Sequence, residues 1–230
     1  MKFGVADYGM TVWYGGSFDI EERLLNLRNI GYNGIERLEA TSPAEAVQRA
    51  ATFHKLGMDF TTCRGPSAPN GIEWTAAFGK QYVWLGIPVD RGADFARFCR
   101  QANEMAATCK RWGIKAAIHN HMHQRVENQK ELEDFLAACP EVGIVFDTGH
   151  LSCAGGDPVE IIKKYHQRIC VMHLKDVYFS DPKRGLDENR QGYKFVELGA
   201  GNNGFSNAET LKALRDVKWD CFIHIEQVIV

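Results

Sequence analysis

No stretch of this chain comes near the roughly 20 consecutive apolar residues that a bilayer-spanning helix needs. Its opening, MKFGVADYGMTVW, also lacks the uninterrupted apolar core of a signal peptide. Together these absences make a cytoplasmic protein with no membrane partner the expectation. An excess of one charge is missing as well: 27 Lys and Arg stand against 29 Asp and Glu, a formal net charge of −2, with the signs interspersed. That balance offers no basic surface for a phosphate backbone, so no nucleic-acid partner is expected. The seven cysteines (Cys63, Cys99, Cys109, Cys139, Cys153, Cys170 and Cys221) are odd in number and contain no CxxC pair. A disulfide framework and a cysteine zinc site are both disfavoured, which leaves reduced packing residues. Nor does a glycine-rich phosphate-binding turn follow the first apolar run, which argues against a doubly wound dinucleotide-binding sheet.

What the chain does have is alternation. With 230 residues, 45% of them hydrophobic, it can bury the core of one α/β domain spanning residues 1–230. Short apolar runs near 2–7, 33–38, 58–62, 82–87, 115–121, 143–147, 169–173 and 221–226 read as eight strands, separated by segments of helical period. Helices over Ile20 to Ile30, Pro43 to Leu56 and Asp94 to Trp112 each run into a glycine, Gly31, Gly57 or Gly113, that suits a helix stop. Ser42 before Pro43, with Glu45 three positions on, reads as a helix cap. Later helices fall near 128–138, 157–166 and 207–216. Eight such units predict a single-domain (β/α)8 TIM barrel. The third connection, CRGPSAPNGIEWTAAFGKQ, leaves room only for a short helix, and the sequence stops at Val230 before an eighth helix. The apolar flank so left bare predicts a homo-oligomer.

Four of the apolar runs end in metal-binding side chains: AAIHNH at His119 and His121, GIVFD at Asp147, CVMH at His173 and CFIHIE at Glu226. Alternate residues of a barrel strand point inward, so His119 shares a face with His121, and His224 with Glu226. Parallel strands would bring all these termini to one mouth, where His119, Asp147, His173 and Glu226 could converge on one divalent ion. Any one of them alone reads equally well as a hydrogen-bonded core group or a solvated rim residue. Four at consecutive strand ends would be a costly accumulation of buried polar groups unless something neutralised them. The mixed N/O set suits Mn²⁺ foremost, with Co²⁺, Zn²⁺ or Mg²⁺ as alternatives.

These residues resemble the xylose isomerase-like TIM barrels, a family of sugar isomerases and epimerases, inosose dehydratase and type IV AP endonucleases. The resemblance spans nearly the whole chain and is carried by VFDTGH (145–150), MHLKD (172–176), IHNH (118–121), VELGAGNNGF (196–205) and HIEQ (224–227). It implies a divalent metal on Asp147, His173 and Glu226. Many members place a Glu where this chain has His119, and the HNH segment looks like the inosose dehydratase branch. The resemblance further implies that His150, Lys175, Asp176 and Glu36 contact or orient a small sugar or polyol, and Trp13, Trp84 and Tyr8 are candidates to stack on it. Glu197 and the turn GAGNNG resemble a mouth-shaping loop of the family.

A divalent ion on a carbonyl acidifies the neighbouring C–H, and a nearby base removes that proton. The leading expectation is a metal-dependent sugar or polyol isomerase/epimerase with Glu226 as base and His119 or His121 as its partner. The same-fold alternative is a lyase acting on a keto-sugar or inosose. An AP endonuclease would need further histidine-rich metal sites and a basic surface, and a non-catalytic sugar-binding or partner subunit is the reading from outside enzymology.

Overall fold

The computed structural model describes residues 1–7, 19–181 and 192–226. The strands are β1 (Lys2–Val5), β2 (Gly34–Glu39), β3 (Asp59–Arg64), β4 (Tyr82–Trp84), β5 (Lys115–His119), β6 (Gly143–Asp147), β7 (Ile169–Leu174), β8 (Asp176–Phe179), β9 (Tyr193–Val196) and β10 (Phe222–Ile225). The helices among the described residues are α1 (Ile20–Ile30), α2 (Pro43–Lys55), α3 (Ala68–Ala77), α4 (Phe95–Arg111), α5 (Gln129–Ala138), α6 (Thr148–Cys153), α7 (Pro158–Tyr165) and α8 (Asn207–Asp216). Eight strands form one parallel sheet in the order β3-β2-β1-β10-β7-β6-β5-β4, and β8 pairs with β9 in a separate hairpin. This is the (β/α)8 barrel the alternation predicts, nearly closed: the seam between β3 and β4 is spanned by Tyr82 Oη and Thr61 Oγ1 at 3.1 Å.

Local chemistry sets the helix limits where the sequence predicts them. Ser42 accepts the Glu45 N–H at the start of α2 with Pro43 in the first turn, and Glu45 reaches back to the Thr41 N–H at 2.7 Å. Gly31, Gly57 and Gly113 follow their helices with φ of 110°, 63° and 71°, a left-handed conformation that costs a residue with a Cβ. Helix α4 lays Phe98, Cys99, Ala102, Ala106 and Cys109 on one buried stripe against the sheet. Burying a side chain such as Phe98 contributes about 1.5–3 kcal/mol. The third helix is short, 10 residues, as its connection requires. After β10 no helix follows among the described residues, and none of the described helices is long and apolar enough to cross a membrane.

Strand parity then fixes what lies inside. Ala117, Val145, Val171 and Phe222 pack with Tyr82 in one apolar layer of the barrel interior. Two residues further along the same strands, the same face carries His119, Asp147, His173 and His224. Register aligns them: Asp147 pairs with His173, and His173 with His224. Outward residues such as Ile118, Phe146 and Met172 pack instead against the helices.

Two features depart from the expected strand–helix alternation. The chain inserts the β8–β9 hairpin after β7, and α6 begins directly at the tip of β6. The hairpin is braced by the segment read as a mouth-shaping loop: Asn202 exchanges hydrogen bonds with Phe179, donating to its carbonyl at 2.9 Å and accepting its N–H at 2.7 Å. Asp176 accepts the Gly199 N–H at 2.7 Å. At Gly201 a Cβ would lie 1.9 Å from Asp176 Oδ1, so this approach admits only glycine.

Candidate active site

Four donor groups meet at the mouth. One ligand atom each from His119, Asp147, His173 and Glu226 lies within 4.8 Å of all the others, and all four residues are buried. His119 Nε2 is 3.6 Å from Asp147 Oδ2. His173 Nδ1 lies 3.9 Å from that same oxygen and 2.7 Å from Glu226 Oε2. Asp147 also shapes the backbone, since its Oδ1 accepts the His150 N–H at 2.7 Å and caps α6, which turns Oδ2 toward the cup. His119 Nε2 and Asp147 Oδ2 are buried without a hydrogen-bond partner. Two ligand atoms without a hydrogen bond, converging at this spacing with the paired His173 and Glu226, fit a divalent cation held by two imidazoles and two carboxylates, where Lys175 now stands 3.3 Å from Asp147 Oδ2.

Lys175 enters the same cup. Its ammonium is 3.3 Å from Asp147 Oδ2, 3.1 Å from Glu226 Oε1 and 4.5 Å from the centre of the Phe195 ring. It also donates to His150 Nε2 at 3.1 Å. Only 1% of its side chain is exposed. Burial opposes its charge, yet Asp147 and Glu226 hold its pKa above the ordinary lysine value. Burial likewise opposes ionisation of Asp147 and Glu226, but Lys175 and the adjacent imidazoles keep both well below the usual carboxylate range. The sequence suggests for Lys175 only the orienting of a ligand or the substrate; in the structure it is the countercharge of the donor set.

The histidines divide by environment. Burial and the nearby Lys175 push His150 well below its ordinary pKa. Burial, reinforced by His119, brings His121 down to about 4, so both rings are neutral near pH 7. His121 Nδ1 donates to the Met122 carbonyl, which leaves Nε2 as an acceptor. Burial also opposes a charged His173, but Glu36 and Glu226 overcome it and raise the group to about 10.

A cavity of about 670 Å³ opens over this cup, bordered by His119, His121, His150, Lys175, Trp84 and Phe195 among others. The hairpin supplies one wall, with the Phe195 ring 5.1 Å from that of His150. Nothing in the strand pattern points to Phe195. Asp176, expected to contact substrate or a ligand, does not border the cavity and anchors the hairpin turn instead. Glu36 reaches the site from β2, with both oxygens engaged by His173, Tyr82 and Trp84. Trp13 and Tyr8 lie outside the described residues.

A family model described as xylose isomerase-like TIM barrel matches residues 24–228. Among curated proteins the chain is 34% identical over 88 residues to the rhizopine catabolism protein MocC of Rhizobium meliloti, covering 38% of this chain and 27% of that protein. It thus spans only about a quarter of that relative's length. It is 36% identical over 226 residues to an inosose dehydratase of Clostridium perfringens, covering 93% of this chain and 74% of the relative. A crystal structure of the IolI protein with a zinc atom superimposes with a TM-score of 0.67 at 16% identity, over 99% of this chain and 89% of that one. At that identity the likeness is one of fold.

Proposed function

The chain belongs to the xylose isomerase-like TIM barrel family, and on that footing we propose that it is a divalent-metal-dependent lyase that removes water from a keto-sugar or inosose. The observation that carries this reading is an acid beside a base in one water-poor cup: the Lys175 ammonium lies 3.1 Å from the Glu226 carboxylate. Elimination needs both, a base for the C–H next to the carbonyl and an acid for the departing β-hydroxyl. Similarity to an inosose dehydratase over most of the chain supports the same substrate class.

His119, Asp147, His173 and Glu226 would hold a divalent ion, which would supply Lewis-acid activation of a substrate carbonyl and so acidify the neighbouring C–H. Glu226 is the base: its pKa lies well below neutrality, so it is ionised and able to accept that proton. The C–H electrons become the new double bond, and the C–O bond to the β-carbon breaks. Lys175, charged and hydrogen-bonded to neutral His150, gives the leaving oxygen its proton, so the products are an unsaturated ketone or its dione tautomer and one water. Phe195 and the hairpin wall one side of the cavity beside His150, which reduces the contact of the reacting groups with bulk water.

One observation favours the isomerase/epimerase outcome from the same deprotonation. His121 is neutral, keeps Nε2 as an acceptor and borders the same cavity as Glu226, so a second base stands ready to take a proton from the other face of the substrate. The discriminating experiment incubates Mn²⁺-loaded protein with inososes and ketoses in D₂O while following near-ultraviolet absorbance and product mass. Dehydration gives a growing conjugated-carbonyl band and, once hydroxyl deuterons are back-exchanged, loss of 18 mass units for the unsaturated ketone or 17 for the dione, which takes one deuteron from solvent on carbon. A product one deuterium heavier with no new band would overturn the lyase reading in favour of isomerisation or epimerisation. Full ion occupancy with no exchange into any substrate would leave a sugar-binding role.

Metal uptake should depend on pH in a defined direction. His173 at about 10 is protonated in the metal-free protein near neutrality, and a cation takes only the neutral imidazole. Affinity for Mn²⁺ therefore rises with pH between about 6 and 9, close to tenfold per unit for one proton released. Titration calorimetry in two buffers of different ionisation enthalpy counts that proton; an uptake heat independent of buffer rules this picture out.

A further inference from the structure

We propose that Glu36 is a positioning residue that, clamped by Tyr82 and Trp84, locks the His173 ring with Nδ1 toward the cup and thereby sets the affinity of the metal centre. The inference rests on the metal-dependent reading above and assigns Glu36 a role other than the substrate contact the sequence suggests.

Glu36 sits inside the barrel, 1% exposed, with both carboxylate oxygens engaged. Its Oε2 accepts His173 Nε2–H at 3.0 Å. Its Oε1 accepts two donors from β4, Tyr82 Oη and Trp84 Nε1, each at 2.9 Å. Three donors converge on the two Glu36 oxygens, the arrangement of an ionised carboxylate that only accepts. With Nε2–H committed to that anion, Nδ1 is the nitrogen left to face Asp147 and Glu226. A carboxylate that fixes the tautomer and orientation of a ligand imidazole raises its basicity and removes the entropy of a free ring. The clamp also reaches past the open β3–β4 seam, tying β4 to β2 and, through His173, to the metal layer.

The same residues allow a competing assignment. Glu36, His173 and His224 form a second group whose donor atoms lie within 4.8 Å of one another, and both nitrogens of fully buried His224 lack a hydrogen-bond partner. A cation there would need His173 Nε2 stripped of its proton while Nδ1 serves the first group, and Glu36 already accepts three hydrogen bonds. One ion per chain is the consequence of the positioning role; two would reassign Glu36 and His224 as ligands.

Chelator competition with Mn²⁺ or Zn²⁺ on the intact 230-residue chain separates these readings. Glu36→Gln keeps the shape but offers one acceptor oxygen to three donors, and its Kd for the ion is expected to rise about 10- to 100-fold. Tyr82→Phe, which leaves Glu36 its other two donors, gives a smaller rise of about 2- to 10-fold with the fold intact. The visible spectrum of the Co²⁺-loaded variants should shift as His173 reorients, a signal that a purely structural role would not move. Unchanged Kd and spectrum in both variants, or elemental analysis giving two ions per wild-type chain, overturns the proposal. A wild-type protein that binds no divalent ion overturns the metal reading itself, before Glu36 is tested.

Discussion

Glu226→Gln is expected to lower turnover by at least about 10³-fold, because the residue combines two functions that an amide cannot share. As a base it contributes on the order of 10²–10⁴-fold to removal of a carbon-bound proton, and glutamine accepts no proton at neutral pH. As a ligand it supplies one of the two carboxylates in the donor group, so the ion Kd rises as well. The losses are separable. With Mn²⁺ added to saturation, the ligand defect is overcome, and substrate proton exchange in D₂O reports the missing base alone. Burial leaves little water near this carboxylate, 10% exposed in its side chain, to act in its place. An exchange rate within about tenfold of wild type under saturating Mn²⁺, well short of what a lost general base costs, would move the role of base to His121, a neutral acceptor on the same cavity.

Much of this site is legible from sequence because strand parity converts position into direction. Val145 inside the barrel obliges Asp147 to point into the mouth, and Val171 does the same for His173. Glycine stops and the Ser42 cap mark helix ends for equally local reasons. The two features that reshape the mouth have no such local signature. Strands β8 and β9 are four residues each and far apart in sequence, so neither shows a period of its own, and the seventh apolar run is bounded at 173, short of DVYF. Helix α6 is six residues long, and its cap is Asp147, a residue already read as a ligand. Resemblance places Lys175 and Glu36 at the pocket, but their partners come from other strands. No spacing along one segment encodes a carboxylate from β2 meeting an imidazole from β7, or a lysine meeting an acid at the tip of β6 and another just past β10.

Lys175→Met carries the second large effect, and its sign depends on whether an ion is present. In the metal-free protein the ammonium stands within 3.3 Å of Asp147 Oδ2 and 3.1 Å of Glu226 Oε1, both buried. Removing one partner of a buried ionic group typically costs about 3–5 kcal/mol, since the charges left behind have neither water nor countercharge. Methionine fills the volume beside Phe195, so packing loss is a minor part. The deficit also has a direction in pH. Burial opposes ionisation of both acids, and Lys175 is the largest influence lowering their pKa values. Carboxylates so depressed stabilise the fold above their unfolded pKa and lose that contribution as pH falls through the folded value. Without Lys175 the two acids protonate more readily, and the gap between variant and wild type closes as pH falls below about 4, toward the depressed folded values of the wild type. Mn²⁺ should restore much of the stability, because a divalent cation supplies the countercharge, so the ion raises the variant's melting temperature more than that of wild type. Dehydration should stay impaired at saturating Mn²⁺, since no proton donor remains for the leaving oxygen. A metal-free variant as stable as wild type at pH 7 would mean that the two carboxylates are not both ionised there, which removes the base and the acid from the proposed reaction together.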